Sequence, residues 1–298
     1  MNTVNAASGQ PLTLLAQDGY RLGATLYPAQ GEETARIVVG SATGVPQGFY
    51  RRFAEFAGAR GYTVLTMDYR GVGTSRPASL KGFAMRFLDW GTQDLAAAVA
   101  HMADGEVPLY LVGHSFGGHA LGLLPNHERL AGAYLFGVGA GWHGWMPQPE
   151  RTRIWLAWNV LLPMLTRWKG YMPWKLLGAG EDLPLGVYRD WRRWCGFPHY
   201  FFDDPAMAHM ADVYARVRTP IVAANAKDDL WALPRSRDAF VGGYRHAPLE
   251  RRDIDAKAEG LGSLGHMGYF RQHAQPLWEE ALAWFGTLGA NPAGQRAA

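Results

Sequence analysis

Apolar strand patterns alternate with helical patterns along the first half of the chain, and this alternation constrains the fold more than any other feature. Residues 36–41 (RIVVGS) predict a buried strand, residues 48–59 have helical periodicity, and residues 62–68 (YTVLTMD) predict the next strand. The same alternation continues through a helix over 87–102, a strand over 107–112, a helix over 117–124 and a strand over 131–136. Because parallel strands are joined by crossover helices, the pattern predicts an α/β protein with a mostly parallel sheet and helices on both faces.

The alternation breaks between about residues 141 and 219 and then resumes. A strand is predicted over 220–224 and a terminal amphipathic helix over 275–288. We therefore predict one core, formed by residues 1–140 and 220–298, with residues 141–219 inserted as a helical cap. This segment contains eight of the twelve tryptophans: Trp142, Trp145, Trp155, Trp158, Trp168, Trp174, Trp191 and Trp194.

Composition excludes several classes of function. The net charge is only +3 and the basic residues are scattered, so no nucleic-acid partner is expected. The single cysteine, Cys195, excludes an intrachain disulfide and a thiolate metal site, and no H-E-x-x-H motif occurs, so we expect neither metal nor cofactor. The first ten residues lack a signal-peptide pattern and no window approaches 18 uninterrupted apolar residues. These features predict a cytoplasmic protein without stable membrane insertion.

The candidate nucleophile is Ser115. Residues 109–118 (LYLVGHSFGG) form an apolar strand pattern that leads into G-x-S-x-G and then into a helix pattern. A serine on such a sharp turn needs small neighbours, here Gly113 and Gly117, because larger side chains would collide. The sequence therefore predicts a nucleophilic serine between a strand and a helix.

The candidate base is His266. It lies in a glycine-flanked segment, Leu264 to Phe270 (LGHMGYF), after the last predicted strand. The chain order serine, acid, histidine is typical of folds that carry such a serine turn. Position and glycine context favour His266 over the other nine histidines.

Two carboxylates, Asp228 and Asp229, follow the predicted strand over 220–224, and either could orient the histidine. An aspartate in this role fixes the tautomer of the imidazole and stabilises the imidazolium. We predict Asp228, which lies three residues after Asn225 at the strand end, with Asp229 as the alternative. The remaining aspartate would form an Asx turn or cap the helix near Pro234.

An oxyanion at Ser115 would need two backbone N–H donors. We predict that Phe116, the residue after the nucleophile, supplies one. The other is expected in the loop Ala42 to Pro46, where Gly44 permits close approach of the backbone. We predict the N–H of Val45, with that of Gly44 as the alternative.

Together with these motifs, Asp68 to Ser75 (DYRGVGTS) matches a D-x-R-G-x-G-x-S segment common in the α/β-hydrolase superfamily, which the chain resembles over about residues 12–285. The resemblance implies an α/β-hydrolase fold with a sheet of about eight strands, and residues 141–219 folded after the sixth strand as a helical lid over Ser115. Where the superfamily usually has His-Gly after the third strand, this chain has Thr43-Gly44. More narrowly, three segments resemble a bacterial group of predicted hydrolases that is often labelled serine-aminopeptidase-like: Ala42 to Val45, Tyr50 to Ala54 and Gly265 to Phe270.

These residues predict a serine hydrolase that cleaves a carboxylic ester or thioester through an acyl-enzyme on Ser115. The expected partner is a small-molecule acyl substrate. An aromatic cap favours an apolar acyl group. The side chains expected to line its pocket are Trp142, Trp145, Trp191 and Trp194.

Other interpretations remain open. The same triad would serve an acyltransferase, and the fold would also serve a non-catalytic ligand-binding module. Exposed aromatic residues of the cap would form the surface of a homodimer or an entrance that faces a membrane. An aminopeptidase or amidase would need an acidic cluster in the cap to hold a substrate ammonium group, for which five residues are available: Glu150, Glu181, Asp182, Asp203 and Asp204.

Overall fold

Eight strands form a single sheet in the computed structural model, which describes residues 9–178 and 180–289. The ends of the predicted core, residues 1–8 and 290–298, lie outside the described residues. The strands are β1 (Gln10–Leu15), β2 (Arg21–Tyr27), β3 (Ala35–Gly40), β4 (Tyr62–Met67), β5 (Leu109–His114), β6 (Gly132–Phe136), β7 (Ile221–Ala226) and β8 (Leu249–Ile254).

The strand order is β1-β2-β4-β3-β5-β6-β7-β8. The β1–β2 and β2–β4 pairs are antiparallel, and the other five pairs are parallel. The prediction of a mostly parallel sheet is confirmed. Its parallel part begins where the βα alternation begins in the sequence.

Helices cover both faces of this sheet, as predicted. Alternate residues of each strand point to opposite faces, so Ile37 and Val39 belong to one core and Val38 to the other. The first core is closed by α1 (Arg51–Gly58) and α9 (Gln275–Gly289), and the second by α2 (Ala96–Met102), α3 (Phe116–Ala120) and α8 (Pro234–Val241).

The predicted cap, residues 141–219, falls in the connection between β6 and β7, and we call it the insertion. Its helices are α4 (Glu150–Leu156), α5 (Leu162–Lys169), α6 (Leu185–Trp194) and α7 (Met210–Ala215). A π-helical turn, Ala157–Leu161, joins α4 to α5. The only β pairing within the described part of the insertion is one bridge between Met172 and Leu183. No helix in the described ranges combines the length and the apolar character needed to cross a bilayer.

Strand β8 has no counterpart among the predicted strands. Its sequence, LERRDI, is rich in charged residues because it is an edge strand that pairs only with β7 and leaves most of its side chains in contact with water. Its pairing has a further effect. Asn225 and Ala226 pair with Asp253 and Ile254, so β7 extends to Ala226, two residues beyond the predicted end.

Candidate active site

Ser115 lies in a tight turn between β5 and α3. Its backbone has φ +52° and ψ −110°, a conformation that a residue with a side chain seldom adopts. The neighbouring glycines make room for the turn. A Cβ atom on Gly117 would lie 2.0 Å from the carbonyl oxygen of Gly40, and one on Gly113 would lie 2.8 Å from the backbone of Gly117. The glycines allow β3, β5 and α3 to approach closely around the serine.

A continuous chain of hydrogen bonds links Ser115, His266 and Asp229. The Nε2 atom of His266 lies 3.0 Å from Ser115 Oγ, and its Nδ1 atom lies 2.8 Å from Asp229 Oδ2. The Asp229 side chain is fully buried, whereas that of His266 is 22% exposed. Ser115 follows β5, Asp229 follows β7 and His266 follows β8. They lie together because the carboxyl ends of parallel strands meet at one edge of the sheet.

The prediction that Asp228 contacts the histidine is wrong, and Asp229 takes that position. Asp228 Oδ2 instead accepts hydrogen bonds from Leu264 N (2.9 Å) and Ser263 Oγ (3.0 Å), and so holds the loop that leads to His266. The reason is the longer strand β7. It ends at Ala226, and the residue three positions beyond that end is Asp229.

The Asp229 carboxylate is fixed by more than the histidine. Oδ1 accepts from Trp231 N (3.1 Å) and Ala232 N (3.0 Å), and Oδ2 accepts from the Tyr269 hydroxyl (3.0 Å). Burial acts to raise the pKa of Asp229. The positive charge and hydrogen bond of His266, together with the Ala232 and Tyr269 donors, outweigh burial and hold this pKa below its usual range. Asp229 is therefore suited to act as the ionised partner of an imidazolium. Tyr269 belongs to the glycine-flanked segment predicted around His266, but the sequence does not indicate its bond to the carboxylate.

A second hydrogen-bonded chain runs behind Ser115 through His114. The His266 carbonyl oxygen lies 2.9 Å from His114 Nε2 and can only accept, so Nε2 carries the proton. Burial, followed by the charge of His266, lowers the pKa of His114 to about 3, and the ring is therefore neutral. Its Nδ1 atom accepts from the Tyr50 hydroxyl (3.0 Å), which itself accepts from Ala42 N (2.8 Å). The chain joins the loop after β3 to the backbone of His266.

The loop after β3 does not present Val45 as an oxyanion donor. Val45 N donates to Ala42 O at 3.1 Å and closes a turn. Gly44 occupies the third position of that turn with φ +72°, as glycine does in a type II turn. Ala42 N donates to the Tyr50 hydroxyl and is also occupied. Two N–H groups of this loop therefore remain without an acceptor among the described residues, those of Thr43 and Gly44. The N–H of Phe116 likewise has no acceptor in the described chain.

A cluster of four tryptophans extends from His266 into the insertion. The Trp231 ring lies 6.5 Å from the His266 ring and 5.7 Å from that of Trp191, between ring centroids. Trp158 and Trp174 each pack on Trp191 at 4.9 Å. We call these four residues the tryptophan cluster. It gives the side of the site next to His266 an apolar aromatic wall.

The structure brings one of the four predicted pocket tryptophans, Trp191, into this cluster. Trp194 lies in the core, where it stacks on Phe87 at 5.8 Å. Trp142 and Trp145 pack on each other, and the Trp145 indole nitrogen donates to Pro198 O at 2.8 Å. Trp231 was missed because it lies outside the insertion. Its position two residues after Asp229 was the available signal.

Other nitrogen, sulfur and carboxylate groups are not assembled as metal ligands. Within residues 9–178 and 180–289, no three His, Cys, Asp or Glu side chains are grouped to hold a metal ion. His119 bonds Gly139 O at 2.8 Å through Nε2. Cys195 is buried, and burial raises the pKa of its thiol.

Comparison with known proteins gives one sequence family and many similar structures. Residues 37–280 match the sequence profile described as the alpha/beta hydrolase family. No curated protein matches the chain significantly in sequence.

Three solved structures illustrate the likeness in fold. A soluble variant of monoglyceride lipase from Saccharomyces cerevisiae, in complex with a substrate analog, is 15% identical, with 97% of this chain and 99% of that chain covered and a TM-score of 0.69. The hypothetical protein PA2218 from Pseudomonas aeruginosa is 16% identical, with 96% and 95% covered and a TM-score of 0.61. The esterase Pf2001 from Pyrococcus furiosus is 14% identical, with 94% and 91% covered and a TM-score of 0.57. At these identities the likeness shows the fold alone.

Proposed function

Because the chain belongs to the alpha/beta hydrolase family and has its fold, we propose that it is a serine hydrolase with Ser115 as nucleophile, His266 as base and Asp229 as orienting acid. The proposed reaction is cleavage of a carboxylic ester or thioester of an apolar acyl group. The observation that carries the proposal is the hydrogen-bonded chain from Ser115 Oγ to His266 Nε2 (3.0 Å) and from His266 Nδ1 to Asp229 Oδ2 (2.8 Å).

In the first half of the proposed reaction, Ser115 Oγ attacks the acyl carbon while its proton moves to His266 Nε2. The imidazolium that forms is stabilised by the Asp229 carboxylate, which accepts the Nδ1–H bond. The Phe116 N–H, with a second N–H from Thr43 or Gly44, would stabilise the negative charge on the acyl oxygen. His266 then returns the proton to the leaving alcohol or thiol as the bond to the acyl carbon breaks.

In the second half, water takes the place of the leaving group. His266 Nε2 accepts a proton from water, the hydroxide attacks the acyl carbon, and the proton returns to Ser115 Oγ as the acid is released. The His266 side chain is 22% exposed, so water reaches the ring that would activate it.

The tryptophan cluster supports an apolar acyl group. The Trp231 ring lies beside His266 and the Trp191 ring packs against Trp231, so an acyl chain that extends from Ser115 along this side would contact aromatic carbon. Pockets for small ligands are usually lined in this way, with few polar groups.

The charges of the insertion favour an ester or thioester over an aminopeptidase substrate. An aminopeptidase would need free carboxylates to bind the substrate ammonium group, but four of the five candidate acids pair with arginine and the fifth, Asp203, is bonded to the His199 ring. The arginine pairs are Glu150–Arg153, Glu181–Arg76, Asp182–Arg76 and Asp204–Arg193, and Asp203 Oδ2 lies 3.0 Å from His199 Nδ1.

Labelling with a fluorophosphonate tests the nucleophile. We expect the wild type to be modified at Ser115, located by mass spectrometry of the labelled peptide, and Ser115→Ala to be unlabelled and to lose about 10⁶-fold in kcat. Ser79→Ala, which removes an exposed serine elsewhere, should label normally. An unlabelled wild type, or turnover of aminoacyl amides but not of p-nitrophenyl esters, would contradict the proposal.

A further inference from the structure

Exposed apolar side chains are concentrated on the insertion. Among the described residues, ten large apolar side chains are exposed, and eight of these lie between positions 155 and 177. Single exposed apolar residues are normal at protein surfaces, whereas a concentration of them indicates a binding surface. The eight are Trp155, Leu156, Val160, Leu161, Met164, Trp168, Leu176 and Leu177.

The helical stretch from Glu150 to Lys169, formed by α4, the π-helical turn and α5, is apolar on two opposite sides. Its inner side is buried and carries residues spaced by four: Trp158, Leu162 and Thr166. The opposite side is exposed and also has a spacing of four, offset by two positions. We call it the outer stripe: Leu156, Val160, Met164 and Trp168. A helix with water on its outer side normally carries charged residues there.

The charges of this helix lie at its ends instead. Residues 154–166 contain no Asp, Glu, Lys or Arg, whereas Glu150, Arg151 and Arg153 precede them and Arg167 and Lys169 follow. The Lys169 ammonium lies 4.0 Å from the ring centroid of Trp168. An apolar segment of this length, with Trp and cations at its ends, is typical of a helix that lies in the plane of a membrane interface.

We infer that the outer stripe docks on an anionic lipid surface, with the helix parallel to that surface. The stripe enters the boundary between headgroups and acyl chains, and the cations at the helix ends contact phosphate groups. Charge complementarity supports the choice of partner. Residues 151–178 contain five Lys and Arg and no Asp or Glu. Arg153 and Lys175 pair with Glu150 and Glu181, whereas Arg151, Arg167 and Lys169 have no carboxylate at ion-pair distance among the described residues.

The same charges argue against a second copy of the chain as the occupant. A two-fold dimer places the same patch of both copies face to face. The cations beside the outer stripe, Arg167 and Lys169, would then face cations of the other copy in a low-dielectric contact, where like charges repel strongly. An anionic bilayer neutralises them.

The helix that carries the outer stripe also contributes to the tryptophan cluster, so the link from docking to catalysis rests on the proposed function. Trp158, on the inner side of the helix, belongs to the tryptophan cluster beside His266. The same helix lines a cavity of about 710 Å³ through exposed Trp155 and buried Trp158, and four charged side chains line it as well: Arg189, Asp190, Arg192 and Arg193. An acyl ester that leaves the bilayer at this helix would meet the tryptophan cluster through Trp158.

Vesicle flotation tests the docking separately from catalysis. The full chain with Ser115→Ala is mixed with phosphatidylglycerol vesicles or, separately, phosphatidylcholine vesicles. We expect binding to phosphatidylglycerol that weakens with salt, and weaker binding to phosphatidylcholine. Met164→Asp should weaken binding at least tenfold, and Arg167→Glu should weaken it at least fivefold. Leu15→Asp is the matched control and should have no effect, since Leu15 and Met164 are 63% and 66% exposed.

Three results would overturn the inference: no binding to phosphatidylglycerol, unchanged binding of Met164→Asp, or equal loss with Leu15→Asp. A dimer that Met164→Asp dissociates, with no vesicle binding, would assign the stripe to a second copy instead. Turnover of p-nitrophenyl butyrate by the same variants with Ser115 intact separates the two proposals. If vesicles bind but butyrate is not cleaved, docking stands and the proposed function fails.

Discussion

At the carboxyl edge of the sheet, the groups around Ser115 are fixed by directed hydrogen bonds, whereas the tryptophan cluster, most of which belongs to the insertion, is held by ring packing. The single carboxylate of Asp229 accepts hydrogen bonds from four donors: His266, Trp231 N, Ala232 N and Tyr269. Trp191, in contrast, contacts its neighbours through ring faces and edges.

The difference teaches where each kind of specificity resides. Hydrogen bonds have strict distances and directions, so a change of one atom at the sheet edge should affect the chemical step. Apolar packing tolerates changes of shape, and the free-energy cost of a substitution there depends mainly on the buried area and the volume that are lost. A change in the insertion should therefore affect which substrate is used rather than whether the reaction occurs.

The largest expected effect separates the two neighbouring aspartates. Asp229→Asn should lower kcat about 10⁴-fold on p-nitrophenyl butyrate, because the amide cannot stabilise the imidazolium and favours the wrong tautomer. Asp228→Asn should lower kcat less than about tenfold, because the amide oxygen can still accept from Leu264 N. Steady-state kinetics of both variants measure the two values of kcat. The reverse order of the two effects would show that the geometry at Asp229 is not the catalytic one.

Acid should destabilise the fold through the sheet edge. Burial lowers the pKa of His114 to about 3 and that of His119 to about 4. Between these values and 6.5 the unfolded chain binds protons that the folded chain does not, so the free energy of unfolding falls as the pH falls. Each histidine contributes about 1.4 kcal/mol per pH unit over the steep part of this range.

Urea unfolding at a series of pH values measures this effect. His114→Gln should make the fall shallower by about 1.4 kcal/mol per pH unit between about pH 5.5 and 4. Tyr110→Phe, which removes a buried hydrogen-bonded hydroxyl that does not titrate at acid pH, is the control and should leave the slope unchanged. Equal slopes for all three proteins would mean that buried histidine is not the source of acid sensitivity.

In the insertion, substitution should change acyl selectivity. Trp191→Ala opens space in the tryptophan cluster and should lower the kcat/KM ratio of p-nitrophenyl hexanoate to acetate about 10–100-fold. The ratio cancels any loss of folded protein. Trp145→Ala, at another tryptophan of the insertion, should change it less than about twofold. An effect at Trp145 as large as that at Trp191 would contradict the role of the cluster.

The sequence predicts the sheet and the serine turn because both are encoded locally. Strand and helix periodicities lie within single segments, and Gly113 and Gly117 mark the turn because no other residue fits their backbone contacts. The choice between Asp228 and Asp229 is not local. It depends on where β7 ends, and that end is set by the pairing of Ala226 with Ile254 of β8.

The tryptophan cluster was predictable as a region and not as a set of residues. Composition places many tryptophans in the insertion, but which rings meet is decided by packing between distant segments. Trp231 joins from the turn after β7, and Trp194 turns into the core beside Phe87. Ring packing has no motif of fixed spacing, so sequence alone could not sort these residues.

The smallest expected effect concerns Tyr50, which links the loop after β3 to the His266 backbone. Tyr50→Phe removes the hydroxyl that accepts from Ala42 N and donates to His114 Nδ1. Two buried polar atoms then lack partners, and the loop and the His266 backbone should lose their fixed separation. We expect kcat on p-nitrophenyl butyrate to fall about tenfold with KM unchanged, because the change acts on transition-state geometry rather than on ground-state binding.

Tyr110→Phe is the matched control for Tyr50→Phe. Tyr110 is also buried, and its hydroxyl donates to Phe285 O at 3.0 Å on the α9 side of the sheet. Both variants should lower the free energy of unfolding by about 1–3 kcal/mol, but only Tyr50→Phe should lower kcat. If both lose stability and neither loses kcat, the Tyr50–His114 chain supports the fold alone. If only Tyr50→Phe loses kcat, the hydrogen bonds of the sheet edge position the base as well as the acid.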